Sequence, residues 1–233
     1  MKKYIQLFAF VFIATIVSAQ TKLTQGVAHF DITYPTLTKE MKQMESMLPK
    51  TLTAYFKKEH SRLEMPMAMG TTVTIGDNTK KEVTVLMDMM GSKFAIHQTA
   101  DDIKKKEEEL RRKDMFPQFN ITYSKETKVI AGYKCKKAIV DYTMGGKSER
   151  LECYYTEDLP KILGSNDNPA FKDIDGFLME YNISQSGMKM VIKAKSVESK
   201  NVDDVLFIIP SDYPVMSQEE ATELMMNGKG GDK

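Results

Sequence analysis

Apolar and polar residues alternate along most of this 233-residue chain. Around Phe30, for example, every second residue is apolar, and a period of two predicts a strand with one buried face. Gly, Pro, Asn and Asp residues separate such runs. The later runs begin near Leu52, Leu63, Val73, Val83, Phe94, Asn120, Tyr133, Glu149, Phe177, Met188 and Leu206. The last of them, Leu206 to Ile209, ends at Pro210. This spacing predicts a meandering antiparallel sheet of about ten strands.

Three segments instead have the pattern of short helices, namely residues 37–48, 100–114 and 217–226. Thr38 (or Thr36) and Ser217 are of residue types that cap helix N-termini. The middle segment carries acidic and basic residues four apart, such as Glu107 and Arg111, and little apolar surface. We therefore predict an α+β fold, in which a curved antiparallel sheet has two or three short helices packed on one side.

The first nineteen residues have the pattern of a secretory signal peptide. Lys2 and Lys3 precede an apolar run, and the run ends at the small residues Ser18 and Ala19. We predict cleavage after Ala19 and export to the periplasm or beyond. Residues 20–227 would then form a single antiparallel-sheet domain, and the glycine-rich residues 228–233 a flexible tail. No later apolar stretch is long enough to span a bilayer.

Charge excludes one broad class of partner. The chain has 33 basic and 32 acidic residues, a formal net charge of +1, so as a whole it has no general attraction to nucleic acid or to anionic lipid. Catalytic motifs are also missing, because the sequence contains no G-x-S-x-G and no C-x-x-C. His29, His60 and His97 do not have zinc-site spacing, and no cofactor motif is present. We therefore predict a protein that is not an enzyme and needs no cofactor.

Two cysteines, Cys135 and Cys153, leave two possibilities open. An exported chain with an even cysteine count can form a disulfide, and the alternative is two buried free thiols. The Gly145-Gly146 pair between two alternating runs predicts a hairpin. With that turn, Cys135 lies opposite Thr156 and not opposite Cys153. A direct bridge would therefore require a bulge or a shifted register.

Part of the C-terminal half resembles a known family. The segment GYKCKKA begins at Gly132, Tyr154-Tyr155-Thr156 and Leu159-Pro160 follow, and Asp175-Gly176-Phe177-Leu178 comes next. This order resembles the GLPGLI family of exported bacterial proteins. The central proline and the tryptophan of that pattern are missing here, so the chain is more similar to a neighbouring exported domain of unknown function. The resemblance implies export and no assigned activity.

The N-terminal half resembles a second group. Its segments TAYFKKEHSRLEMP, from Thr53, and TTVTIGDNTKKEVTVLMDMMGSKFAI, from Thr71, have the strand rhythm of LolA/LolB-type lipoprotein carriers, and Arg62 matches the basic residue of the second strand. That resemblance implies a half barrel, in which a curved antiparallel sheet wraps around helices and encloses an apolar cavity. It supplies no catalytic residue.

A concave, apolar sheet face suggests the leading hypothesis for function. We interpret the chain as a non-enzymatic carrier of an apolar small molecule or lipid, such as an acyl chain, and methionine would make the lining adaptable. The lining residues that we predict are Leu63, Met65, Met67, Val85, Met87, Phe94 and Ile96.

Two other hypotheses stay open. Met65, Met67 and Met69 are two residues apart and would share a strand face, and thioethers are soft ligands that suit Cu(I), so the chain could handle copper. The protein could instead act through its surface, as a structural or interaction partner of an envelope protein.

Overall fold

The computed structural model describes residues 22–89, 91–144, 146–164, 168–185 and 188–227. The predicted signal peptide, residues 1–19, and the predicted tail, residues 228–233, lie outside these ranges. Twelve strands form one sheet, where about ten were predicted. They are β1 (Gln25–Thr36), β2 (Thr51–Lys57), β3 (His60–Met67), β4 (Gly70–Asp77), β5 (Glu82–Met89), β6 (Ser92–Gln98), β7 (Phe119–Ile130), β8 (Tyr133–Met144), β9 (Lys147–Thr156), β10 (Phe177–Gln185), β11 (Met188–Glu198) and β12 (Val215–Met216). The helices are α1 (Lys39–Gln43), α2 (Ala100–Arg112) and α3 (Gln218–Asn227).

The strand order across the sheet is β12-β6-β5-β4-β3-β2-β1-β11-β10-β9-β8-β7. The sheet is open and curved, and every pairing is antiparallel except that of β12 with β6. The chain builds one arm outward from β1 to β6, crosses through α2, and builds the second arm inward from β7 to β11. β11 then pairs with β1, with Val27 opposite Glu198, which joins the two arms at the centre.

One face of the sheet, which we call the inner face, carries the main core. Phe177 lies at its centre and is fully buried. Its ring stacks on Phe30 at a centroid distance of 6.2 Å and meets Phe56 edge-on at 5.5 Å. Residues from β1, β2, β3, β8, β9, β10 and β11 share this cluster, so the curvature brings both arms around one core.

The connection between β9 and β10, residues 157–176, is irregular and packs on the inner face in its described parts, 157–164 and 168–176, and we call it the plug. Its buried apolar side chains belong to the main core and are Leu159, Ile162, Ala170, Phe171 and Ile174. Ser61 Oγ donates a hydrogen bond to the Leu163 carbonyl (2.8 Å). Asn78 Nδ2 likewise donates to the Lys161 carbonyl (2.6 Å). The sequence predicted helices as the cover of the sheet, whereas a loop with its own apolar residues provides most of it.

A second irregular segment, residues 199–214, covers part of the outer face. Its side chains Phe207, Ile209 and Tyr213 pack on a small outer cluster formed by Val73, Ile75, Leu86 and Ala95. Arg62 donates a hydrogen bond to the Leu206 carbonyl (3.1 Å), and Lys57 forms an ion pair with Asp204 (2.7 Å).

The predicted strand Leu206 to Ile209 is wrong. Residues 204–207 form a 3₁₀ turn, and the Asp203 carboxylate starts it by accepting a hydrogen bond from the Val205 amide (3.1 Å). The apolar residues there are used for packing on the outer face, not for pairing. The last strand is β12, whose Val215 and Met216 pair with β6.

The helices pack on the sheet less than predicted. α2 has no buried residue, and its N-terminus is held by a capping box in which Thr99 and Asp102 bond each other's backbone amides (3.2 and 3.0 Å). Met44 and Met47, beside α1, are exposed. α3 does bury Ala221 against Phe94 and Ile96. No helix in the described ranges is long and apolar enough to cross a membrane.

Candidate functional site

The strand register places all seven predicted lining residues on the inner face. One row across β3, β4, β5 and β6 contains Leu63, Thr74, Val85 and Ile96. The next row contains Met65, Thr72, Met87 and Phe94. Met67 follows at the end of β3. We call these seven residues (Leu63, Met65, Met67, Val85, Met87, Phe94 and Ile96) the inner stripe.

Neighbouring elements cover only parts of the inner stripe. Leu63 is buried where the plug passes at Gly164, whose positive φ of 98° lets the backbone turn so close that a Cβ there would lie 2.8 Å from Leu63 Cδ1. Phe94 and Ile96 are buried where α3 packs on β6. Met65 packs against the main core and Met87 against the cluster at α3, but these two residues, like Met67 and Val85, are only half-buried. The middle of the inner stripe is therefore accessible apolar surface.

A groove of about 1250 Å³ lies on the other arm, between residues 114–120 and the β8–β9 hairpin. Phe119 lines this groove, and its ring centroid lies 6.0 Å from that of Phe116 and 5.4 Å from that of Tyr142. Arg150 donates two hydrogen bonds to Asp141 (2.7 and 3.2 Å), which lowers the pKa of that carboxyl group. A second groove, of about 540 Å³, lies beside Lys58 and Pro160. The inner stripe lines neither groove.

In a polar cluster on β7, β8 and β9, the side chains form hydrogen bonds and ion pairs with one another. Tyr154 donates a hydrogen bond to Glu126 (2.5 Å), and this bond raises the tyrosine pKa and lowers that of the glutamate. Lys137 forms ion pairs with Glu126 and Glu152 at 3.3 and 3.1 Å. Because each of these groups already bonds a neighbour, the cluster has the character of a structural network.

The methionines of the copper hypothesis lie along one strand and the turn after it, and the three histidines lie on different strands. Met65 and Met67 lie on β3, but Met69 lies in the exposed turn after that strand ends. His97 lies 2.9 Å from the Thr84 hydroxyl, and His60 stacks on Phe207, on different strands. Within the described ranges, no three His, Cys, Asp or Glu side chains are grouped as a metal site.

Cys135 and Cys153 are both buried and unpaired. Met144 pairs with Lys147 at the closed end of the β8–β9 hairpin, and in this register Cys153 lies opposite Ala138. The candidate bridge is therefore not formed, and the alternative of two buried thiols is the arrangement found. Burial raises the pKa of Cys135 to about 11 and that of Cys153 to about 12.

We expect both thiols to resist alkylation in the native protein. Both pKa values lie two or more units above the usual thiol value, so at least about 100-fold less thiolate is present at pH 8, and burial also blocks access. Iodoacetamide labelling followed by intact mass should be slow in buffer and fast in guanidinium chloride. Equal labelling in both solvents would contradict the burial of these groups.

The raised pKa values also predict a loss of stability at alkaline pH. Since the folded thiols keep their protons to higher pH than unfolded ones, the free energy of unfolding should fall above about pH 9.

Comparison with known proteins identifies a shared fold. No protein-family model matches the sequence, and no curated protein sequence matches it either. The solved structure of PNGF-II superposes on 87% of this chain with a TM-score of 0.53 and 15% identity. At this identity the likeness concerns the fold alone, and the chain spans about a third (32%) of the length of PNGF-II.

Two further solved structures superpose more loosely. LprF from Mycobacterium bovis covers 79% of this chain and 91% of its own length, at 15% identity and a TM-score of 0.32. The Mycobacterium tuberculosis lipoprotein LppX covers 78% and 89%, at 8% identity and a TM-score of 0.35. At these TM-scores neither superposition bears on the function of this chain.

Proposed function

We propose that this protein is an exported, non-enzymatic binder of an apolar ligand, such as an acyl chain, and that the inner stripe is its site. The observation that carries the proposal is a group of four half-buried apolar residues on one face of β3 and β5, namely Met65, Met67, Val85 and Met87. Export with cleavage after Ala19, and kinship with the exported proteins that the GYKCKKA segment resembles, belong to the same proposal.

The physical basis of binding would be the removal of apolar surface from water, about 25 cal/mol per Å². An acyl chain has no polar group along its length, so a site without directional donors fits it. Thr72 and Thr74 share the inner face with the methionines, so the stripe is apolar but not continuous across β4. Unbranched methionine side chains can rearrange around ligands of different shape, which predicts broad specificity.

The test is ligand binding by the mature chain and two variants. We expect native mass spectrometry of the purified protein to detect co-purified lipid, and a fluorescent fatty acid to bind in solution. Met65→Lys with Met87→Lys should weaken that binding at least about tenfold, equivalent to about 1.4 kcal/mol. Val129→Lys, an exposed residue on the other arm, is the matched control. Equal affinity in the double variant and the control would contradict the proposed site.

A further inference from the structure

The connections at one end of the sheet share a residue type. Because neighbouring strands are antiparallel, every second connection lies at the same end. Six connections lie where β1 ends and β2 begins, and they precede β2, β4, β6, β7, β9 and β11. Each contains or adjoins a methionine, and those among the described residues are Met41, Met44, Met47, Met67, Met69, Met89, Met115, Met144 and Met188. We call this end of the molecule the methionine rim.

The opposite end has a different composition. Its connections are residues 58–59, 78–81, 99, 131–132 and 157–176, and residues 199–214 start there and cross the outer face toward β12. None of these segments contains a methionine, and the short turns there carry charges such as Lys58, Glu59, Lys80 and Lys81. Methionine is therefore concentrated at one end of the sheet and is not simply frequent in the chain.

The methionine rim is exposed. Among the side chains that the structure describes, the exposed methionines are Met44, Met47, Met69, Met115 and Met144, with 41–60% of their surface accessible, and all of them lie at this end. A set of exposed apolar side chains on one part of a surface marks an interaction site. Flexible thioether side chains are suited to a partner without a fixed shape.

Lysines accompany the methionines at this end. Lys39, Lys42, Lys50, Lys147 and Lys189 are exposed and form no ion pair with any described residue. Asp88 and Asp141 at this end are paired with Lys93 and Arg150, and the acidic side chains there that form no ion pair with any described residue are Glu45, Asp114 and Glu149. Apolar side chains interspersed with lysines are typical of surfaces that lie on a lipid bilayer, where the lysines reach anionic headgroups.

The inner stripe leads to the methionine rim. Met67 is the last residue of β3, and Met69 lies in the turn that follows it. Met87 is likewise close to the end of β5 at the same end of the sheet. We propose that the methionine rim docks on the surface of a lipid bilayer, so that the inner stripe opens toward the membrane from which its ligand comes. This inference rests on the proposed function.

Vesicle flotation tests the docking of the mature chain. We expect it to float with vesicles of phosphatidylcholine and phosphatidylglycerol, and less with phosphatidylcholine alone, because of the lysines. The triple variant Met44→Gln, Met69→Gln and Met144→Gln should reduce flotation at least about tenfold. The control variant Val129→Gln, Val205→Gln and Ile208→Gln removes comparable exposed apolar groups away from the rim and should float like the wild type. Circular dichroism and thermal melts establish that both variants are folded.

Two outcomes would overturn bilayer docking. The first is that the rim variant floats as well as the wild type. The second is that the wild type does not float, which includes the case in which the methionine rim binds an envelope protein instead. Fatty-acid binding in solution, measured on the same samples, separates this inference from the proposed function. Flotation without fatty-acid binding would overturn the inner stripe as the ligand site, and binding without flotation would overturn the docking of the methionine rim.

Discussion

Replacing Phe177 with alanine is expected to lower the free energy of unfolding by about 3–5 kcal/mol. The ring is fully buried and packs against both Phe30 and Phe56. Its removal would leave a cavity where residues of both arms meet. The surrounding rings belong to β1 and β2, whose backbones are fixed by pairing, so they cannot move in to fill the space.

Urea unfolding followed by far-ultraviolet circular dichroism measures this loss. Tyr123→Ala is the matched control, because it removes an aromatic ring that is 56% exposed. Tyr123 contributes one long hydrogen bond of 3.4 Å to the Asp173 carbonyl, so the control should lose about 1 kcal/mol or less. Similar losses in the two variants would mean that Phe177 is not at the centre of the core.

Replacing Gly76 with valine is expected to dislodge the plug and to cost about 1–3 kcal/mol. A Cβ at this position would lie 2.6 Å from Leu163 Cβ and 2.7 Å from Ser61 Oγ. The Ser61 hydroxyl could rotate away, but Leu163 Cβ is fixed to the backbone, so the plug backbone itself must shift. The hydrogen bond from Ser61 to the Leu163 carbonyl would be lost in the same movement.

Limited proteolysis detects the displaced plug directly. We expect new cleavage within residues 157–176 of Gly76→Val, together with a lower urea midpoint. Thr79→Val, an exposed substitution in the adjoining β4–β5 turn, should leave both the cleavage pattern and the midpoint unchanged. Wild-type resistance of the plug in Gly76→Val would show that the packing at Gly76 does not hold this segment.

Alternation in the sequence was sufficient to predict which side chains share a face. Successive side chains of a strand point to opposite faces of the sheet. Leu63, Met65 and Met67 must therefore share one face, whichever strands pair with β3. The tight turns between β3, β4, β5 and β6 then align that face across four strands. Whether these residues bind a ligand is a separate question, which the binding experiment addresses.

The covers of the sheet could not be predicted in the same way. The plug has no period, and its apolar residues, such as Phe171 and Ile174, are buried by strands distant in sequence. Leu206 to Ile209 is too short for periodicity to distinguish a strand from a turn. The available signal was Asp203, whose side chain favours the start of a helical turn over a strand.

The methionine rim was present in the sequence but divided among clusters. Each cluster, read on its own strand, suggested a metal site or core filling. Their common location depends on the meander, because two strands separate each connection from the next, except that between the β5–β6 turn and β7 the return crossing is made by α2. The strand order alone, without any side-chain contact, places Met44, Met69 and Met144 at one end of the sheet.

The central pairing of β1 with β11 has a consequence for the order of assembly. Within each arm, strands that are neighbours in sequence pair with each other, and except for β9 and β10, which the plug joins, their contacts form over short loops. The seam between the arms instead joins Val27 to Glu198, so nearly the whole chain must be available before it closes. A chain that is still emerging from a ribosome or a translocation pore cannot complete this seam, and its core around Phe177 stays open until synthesis or passage is over.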